Sequence, residues 1–189
     1  ASDAMGADSG DSGGFGVCAA QLSSQLIKQC LDVGFMPGFT VARLSGDSSG
    51  LKHPQRDIIP TIPFTRWPQE VFDKSKTHWV DLFAGRWKYS DHITLGESRA
   101  ALRVLQIVSQ FPNCHRYVIL NLEDNMPTAG AFNKGRSPTP ALSFLLRKRC
   151  GLSLACAIRL LSPWVETKLM PADELSRVQQ DLRAKAAGP

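Results

Sequence analysis

A mixed α/β fold of the α+β kind, with helices packed on the faces of a mixed sheet, is what this chain predicts. Three observations point to it. From Trp79 onward, short apolar runs of strand length alternate with stretches of helical period. Pro and Gly stand at the boundaries between them, at Gly85, Pro112, Gly135, Pro140 and Pro171. The chain has 189 residues, 43% of them hydrophobic, which suits one domain with a sizeable core. The expectation is a single domain over 1–189.

The elements follow in order. Residues 1–13 offer turn chemistry, and 14–22 (GFGVCAAQL) read as a strand. Apolar residues at 22, 26, 27, 30 and 31 predict a short helix over 22–33. Residues 34–77 have little period and carry Pro37, Pro54, Pro60, Pro63 and Pro68, so they are expected to be a long irregular insertion. Trp79–Phe83 reads as a strand that ends at Ala84-Gly85-Arg86-Trp87. The spacing of 101, 102, 105 and 108 predicts a helix over 95–110, which Pro112 stops. Residues 116–122 are apolar enough for a buried strand that ends on Glu123-Asp124-Asn125. A short helix over 127–133 closes at Gly135, and a longer one over 140–157 has Gly151 as a candidate break. Residues 158–165 read as a strand at an edge or bulge because of Pro163. Pro171 suits the first turn of a last helix reaching about Ala184.

Charge and cysteine usage narrow the function classes. A net charge of +5 suits a polyanionic partner. No apolar run approaches the ~20 residues of a membrane span. The five cysteines fit no zinc spacing and read as buried free thiols of a reducing compartment, so the expected location is intracellular, cytoplasmic or nuclear, and not secreted. No signal-peptide pattern opens the chain, and a start on Ala1 in place of Met reads as a piece of a longer polypeptide. The four histidines form no nucleophile–base arrangement, and the four tryptophans read as core anchors. Ser45–Gly50 has no Lys and so is no phosphate-binding loop of the usual kind.

Four acids stand at element ends: Asp3 near the start, Glu97 in the first turn of a helix, Asp124 after a strand, and Asp173 in the first turn of the last helix. Singly, each is also what a turn or a helix dipole favours. Together, carboxylates from separate elements would make a hard, oxygen-rich site suited to Mg²⁺. Lys134, Arg136, Arg147, Lys148 and Arg149 are candidates for phosphate contacts, or equally for a solvated face.

An ordered set of words sharpens this reading. They are His92-Ile93-Thr94-Leu95-Gly96-Glu97-Ser98-Arg99-Ala100, Glu123-Asp124-Asn125, Asn133-Lys134-Gly135-Arg136 and Met170-Pro171-Ala172-Asp173-Glu174-Leu175-Ser176-Arg177. The chain thereby resembles the ribonuclease H domain that follows reverse transcriptase in retroelement polyproteins, of the tyrosine-recombinase class. The likeness is dense over 79–177. Ala1-Ser2-Asp3-Ala4 with Gly14-Phe15-Gly16-Val17-Cys18 resembles the family's first hairpin, with extra residues in the turn. Two positions depart: Met170 stands where the family has Asn, and Gly96 where it usually has Leu.

The resemblance implies a five-stranded mixed sheet flanked by helices, with a truncated first strand and a long insertion after the second. It implies Asp3, Glu97, Asp124 and Asp173 as catalytic and metal-binding acids, for two Mg²⁺ ions or Mn²⁺ in their place. Asp3 and Asp124 would hold the ions most directly, Glu97 would stand near the scissile RNA, and Asp173 would complete the second site. Asp11 fits the Asp-to-Gly spacing of the first hairpin about as well as Asp3. Asn125, Lys134 and Arg136 are the expected substrate contacts. The implied activity is hydrolysis, as an endonuclease, of the RNA strand of an RNA–DNA hybrid during reverse transcription, with an upstream reverse transcriptase in the same polyprotein. Two other readings remain: a catalytically silent module that binds nucleic acid or docks on a polymerase, and a relative that cuts or joins DNA.

Overall fold

The computed structural model describes residues 1–5, 13–34, 66–88 and 91–177. It is a mixed α/β structure, as the alternation predicts. Strands β1 (Ser2–Met5) and β2 (Gly14–Ala19) precede helix α1 (Ser24–Gly34) and the single turn α2 (Gln69–Phe72). Then come β3 (Val80–Arg86), α3 (Ile93–Val108), β4 (Val118–Leu120), α4 (Met126–Lys134), α5 (Pro140–Cys156) and β5 (Arg159–Leu161). Residues 173–177 are helical, and the rest of the expected last helix lies outside the described residues.

Hydrogen bonding divides the five strands into two sheets. β1, β2 and β3 form an antiparallel sheet in that order, and β4 and β5 a parallel pair. One backbone bond crosses the seam, from Ser2 N to the carbonyl of Leu122, at 3.5 Å. The continuous five-stranded sheet that the resemblance implies is therefore interrupted beside β1, whose four residues reach past Leu122 but do not run alongside β4.

Helices cover both faces. Along β4, Ile119 packs into one core and Leu120 into another, as the two-residue period of a strand requires. The first core joins α3, α4, α5 and β5 through Leu102, Leu105, Phe132, Leu145, Leu146 and Leu160. The second gathers Cys18, Cys30, Trp67, Val71, Leu122 and Val165.

Several expectations are corrected here. Trp67, Val71 and Thr77 are buried, so 66–77 belongs to the core and is no irregular insertion, while 35–65 lies outside the described residues. The strand expected over 116–122 is three residues long, and Tyr117 and Val118 are exposed in place of buried. β3 runs on through Arg86, past the expected stop. Gly151 leaves α5 unbroken, because its backbone stays helical with nothing crowding it. Of the five cysteines, only Cys18 and Cys30 are buried, all five are free, and Cys150 is exposed. Among the described residues no helix is long and apolar enough to cross a membrane.

Candidate metal centre

Three elements deliver carboxylates to one point. Asp3 sits in the middle of β1, opposite Gly16 of β2. Glu97 comes from the first turns of α3, whose start is capped by His92: its Nδ1 accepts the Thr94 amide at 3.2 Å. Asp124 follows the Glu123 bridge to Trp164, and the Trp164 indole donates to the Asp124 carbonyl at 2.8 Å. An oxygen from each of Asp3, Glu97 and Asp124 lies within 4.8 Å of the others. They line an open cavity of about 280 Å³ together with Asn125, Asp173 and Arg177.

Asp173 reaches this cavity but is already engaged. Its Oδ1 accepts from Arg177 Nη2 at 2.7 Å and from Nε at 3.1 Å. The structure thus brings together three of the four predicted acids and sets the fourth on the wall. Asp11 lies outside the described residues.

The close approach of the C-terminal turn has a local cause. A Cβ on Gly16 would come within 2.7 Å of the Ser176 nitrogen, and one on Gly14 within 2.6 Å of its carbonyl oxygen. Only the bare backbone of β2 at these two positions leaves room for 173–177 to lie on it. That contact puts Ser176 Oγ at 2.6 Å from Asp3 Oδ2, as a donor.

Burial and mutual repulsion govern the electrostatics. Asp3 is pushed up to about 6, first by desolvation, with the charges of Asp124 and Asp173 adding to it. Glu97 is pushed up to about 11 by desolvation and then by Asp3, Glu123 and Asp124, although the Ala4 amide donates to its Oε2 at 3.1 Å. Asp124 is raised by desolvation, against a hydrogen bond from Thr167. Four carboxylates face this cavity against one guanidinium, Arg177. A hard divalent cation fits such a donor set: every ligand atom is a carboxylate oxygen, and the charge it brings is what the site lacks.

Glu123 is the residue that sequence reasoning missed. It is fully buried behind the cluster and accepts from Ser2 Oγ at 3.1 Å and from Asn121 Nδ2. Desolvation holds its carboxyl well above the usual range, and its Oε2 has no partner. Nothing in the pair Glu123-Asp124 tells which acid faces inward; that is settled only by the bridge to Trp164.

The expected substrate contacts fall in different places. Asn125 lines the cavity, yet its side chain caps α4 by accepting the Thr128 amide at 3.0 Å. Lys134 and Arg136 flank Gly135 at the far end of α4, about 13 Å along the helix from that cap. Neither lines the cavity. Gly135 takes φ 73°, the left-handed C-terminal conformation expected of it. Asn133, from the same motif, is a clamp: its side chain donates to the Ser162 carbonyl at 2.7 Å and accepts the Ser162 amide at 3.0 Å. Arg149 turns inward, donating to the Leu160 carbonyl at 2.8 Å over the Phe132 ring, so only Arg147 and Lys148 of that triplet are exposed.

Compared with known proteins, the chain matches no family model, no curated protein and no solved structure at a significant level.

Proposed function

We propose that this protein is a divalent-cation-dependent endonuclease of the ribonuclease H kind, cleaving the RNA strand of RNA–DNA hybrids during reverse transcription of a retroelement. The observation that carries the reading is the convergence of Asp3, Glu97 and Asp124 within 4.8 Å from a strand, a helix and a strand end. Strand order supports it as well. Read across the seam at Ser2, the order is β3-β2-β1-β4-β5, antiparallel through β1 and parallel at β4-β5. The two sheets stay separate apart from that one bond, and the order across it is compatible with the five-stranded mixed sheet that the resemblance implies.

In this reading Asp3, Glu97 and Asp124 would hold the cations, two Mg²⁺ or Mn²⁺ in their place, and Asp173, paired with Arg177 at the cavity wall, would be the fourth acid available to them. When bound, such ions supply Lewis acidity that activates water and stabilises a leaving oxygen. The reaction is hydrolysis: a water oxygen adds to phosphorus and the bond to the 3′ oxygen breaks, leaving a 5′-phosphate and a 3′-hydroxyl. Ser176 and the Ala4 amide hold the Asp3 and Glu97 carboxylates in place. Lys134 and Arg136, a helix length away, steady the backbone of the hybrid without reading its sequence. The hybrid is recognised through its wide minor groove and 2′-hydroxyls. A reverse transcriptase domain in the same polyprotein is the partner this function calls for, and the inside of the cell its place.

The Asp173–Arg177 ion pair favours a second reading, a module that binds nucleic acid without cutting it, because it withholds the fourth acid. One assay separates them. Labelled RNA–DNA hybrid and duplex DNA are incubated with the protein in Mg²⁺ and in chelator. The nuclease reading expects Mg²⁺-dependent cleavage of hybrid RNA, lowered by ~10²-fold or more in Asp124→Asn. Binding without cleavage under every cation supports the silent module, and cleavage of duplex DNA supports a different nuclease.

A further inference from the structure

Glu97 and Asp124 come from segments that no strand ladder joins. Backbone pairing across the seam is one bond, Ser2 N to the Leu122 carbonyl at 3.5 Å. The Ser2 hydroxyl adds contacts with Glu123 at 3.1 Å and Asn121 at 2.9 Å. All of these act on Ser2, one residue before Asp3, and none reaches Glu97. The buried apolar residues that α3 and α4 give to their shared core, Ala101, Leu102, Ala131 and Phe132, lie a full turn or more beyond the two acids. The first turns of the two helices are joined by polar groups.

The residues beside the acids form a buried hydroxyl clasp. Ser98 directly follows Glu97, and Thr128 lies in the first turn of α4; both are fully buried. Ser98 Oγ donates to the Thr94 carbonyl at 2.7 Å. Thr128 Oγ1 lies 3.3 Å from the same carbonyl and 3.2 Å from Ser98 Oγ. Each hydroxyl has one proton to give. Ser98 gives its own to the carbonyl, so Thr128 shares its proton between the two oxygens. Both ends of the clasp are fixed in turn. His92 Nδ1 accepts the Thr94 amide at 3.2 Å, and Asn125 Oδ1 accepts the Thr128 amide at 3.0 Å. The connection is therefore continuous from Glu97, through Ser98 and Thr128, to Asn125 beside Asp124. Neither hydroxyl lines the acidic cavity.

We infer that Ser98 and Thr128 are positioning residues for the cation site, which set the distance between the Glu97 and Asp124 carboxylates through the first turns of α3 and α4. The inference rests on the cation reading above. Hydrogen bonds suit this task because they are directional, and a slip of about 1 Å at the clasp breaks them. A divalent ion needs its ligand oxygens closely placed, so a looser spacing weakens its binding. Opening the clasp strands no buried polar group. Thr128 keeps the Thr94 carbonyl in Ser98→Ala, and Ser98 keeps it in Thr128→Val.

Calorimetric titration of Mg²⁺ at pH 7 tests it in wild type, Ser98→Ala, Thr128→Val, Thr128→Ser and Ile158→Val, at a temperature where circular dichroism shows each one folded. Ile158→Val lowers stability from the core, away from the clasp. The expected result is a ~10-fold rise in Kd for Ser98→Ala and Thr128→Val, with Thr128→Ser and Ile158→Val within ~2-fold of wild type. An unchanged Kd in both clasp variants overturns the inference and leaves the cation site standing. Equal weakening in Ile158→Val overturns it as well, because any loss of stability then acts alike. A wild type that takes up no Mg²⁺ overturns the cation reading itself, and this inference with it.

Discussion

The two ends of helix α3 do opposite things with burial. Its middle turns set Ala101, Leu102 and Leu105 into the core shared with Phe132, Leu145 and Leu160, where removing apolar surface from water stabilises the fold. Its first turns bury Glu97 against Asp3 and Asp124, where removing charge from water opposes folding and the neighbours repel. One helix therefore carries a stabilising end and a strained end only a turn apart. The contrast teaches that the rigid half is what holds the acidic half together. Without a packed anchor, three carboxyl groups within 4.8 Å, each opposing its neighbours' ionisation, would have nothing to keep them close.

The comparison can be broken most forcefully from the stabilising side. Phe132→Ala should lower unfolding free energy by about 3–5 kcal/mol in urea titration, through lost burial and the cavity left behind. A loss under ~1 kcal/mol would mean that the anchor is not where it is placed here.

From the strained side, pH is the next lever. Asp3 and Glu97 sit above their unfolded values, so the folded state holds the extra protons. Their stabilising contribution is full below pH ~4 and fades as pH rises through about 6 for Asp3 and about 11 for Glu97. In chelator, wild type should lose on the order of 3 kcal/mol relative to Asp3→Asn between pH 4 and 7. A difference that grows in the opposite direction contradicts the buried cluster.

Glu97→Gln sharpens the same contrast with a smaller effect. The cation-free protein should gain about 2 kcal/mol at pH 7, since the amide keeps the Ala4 contact and, unlike the glutamate, needs no proton taken up on folding. Thermal melts with and without Mg²⁺ check it: the variant should melt higher in chelator and respond less to the ion. Smallest of all is Asn125→Ala, which removes the cap of α4 and should cost ~1 kcal/mol with little change in cation response. A full loss of cation response there would make Asn125 a ligand in place of a cap.

Much of this was readable in the residues, and the reasons differ by region. Helix α3 repeats its apolar spacing over enough turns to declare a face, while α4 and α5 are marked mainly by the Pro at their starts and, for α4, the Gly at its end. Glu97, Asp124 and Asp173 could be singled out because short ordered words surround them. Asp3 also lies in the site, which spacing alone left level with Asp11. The single turn α2 is too short to show a period, so Trp67 and Val71 looked like part of a loop. The run over 116–122 is apolar for two reasons at once, a core on one half and an open slot on the other, and composition cannot separate them. Asn133 bonds to Ser162, and Arg149 to a carbonyl 11 residues on. Such tertiary partners leave no local mark, so Arg149 read as part of a basic surface and the role of Asn133 went unread.

The central claim is that Asp3, Glu97 and Asp124 act as one cation site. Calorimetric titration of Mg²⁺ into wild type and Asp124→Asn at pH 7 tests it directly. The account predicts saturable binding to wild type and loss of that heat in the variant, with both proteins folded by circular dichroism. Identical isotherms for the two, or no saturable binding to wild type, would contradict it.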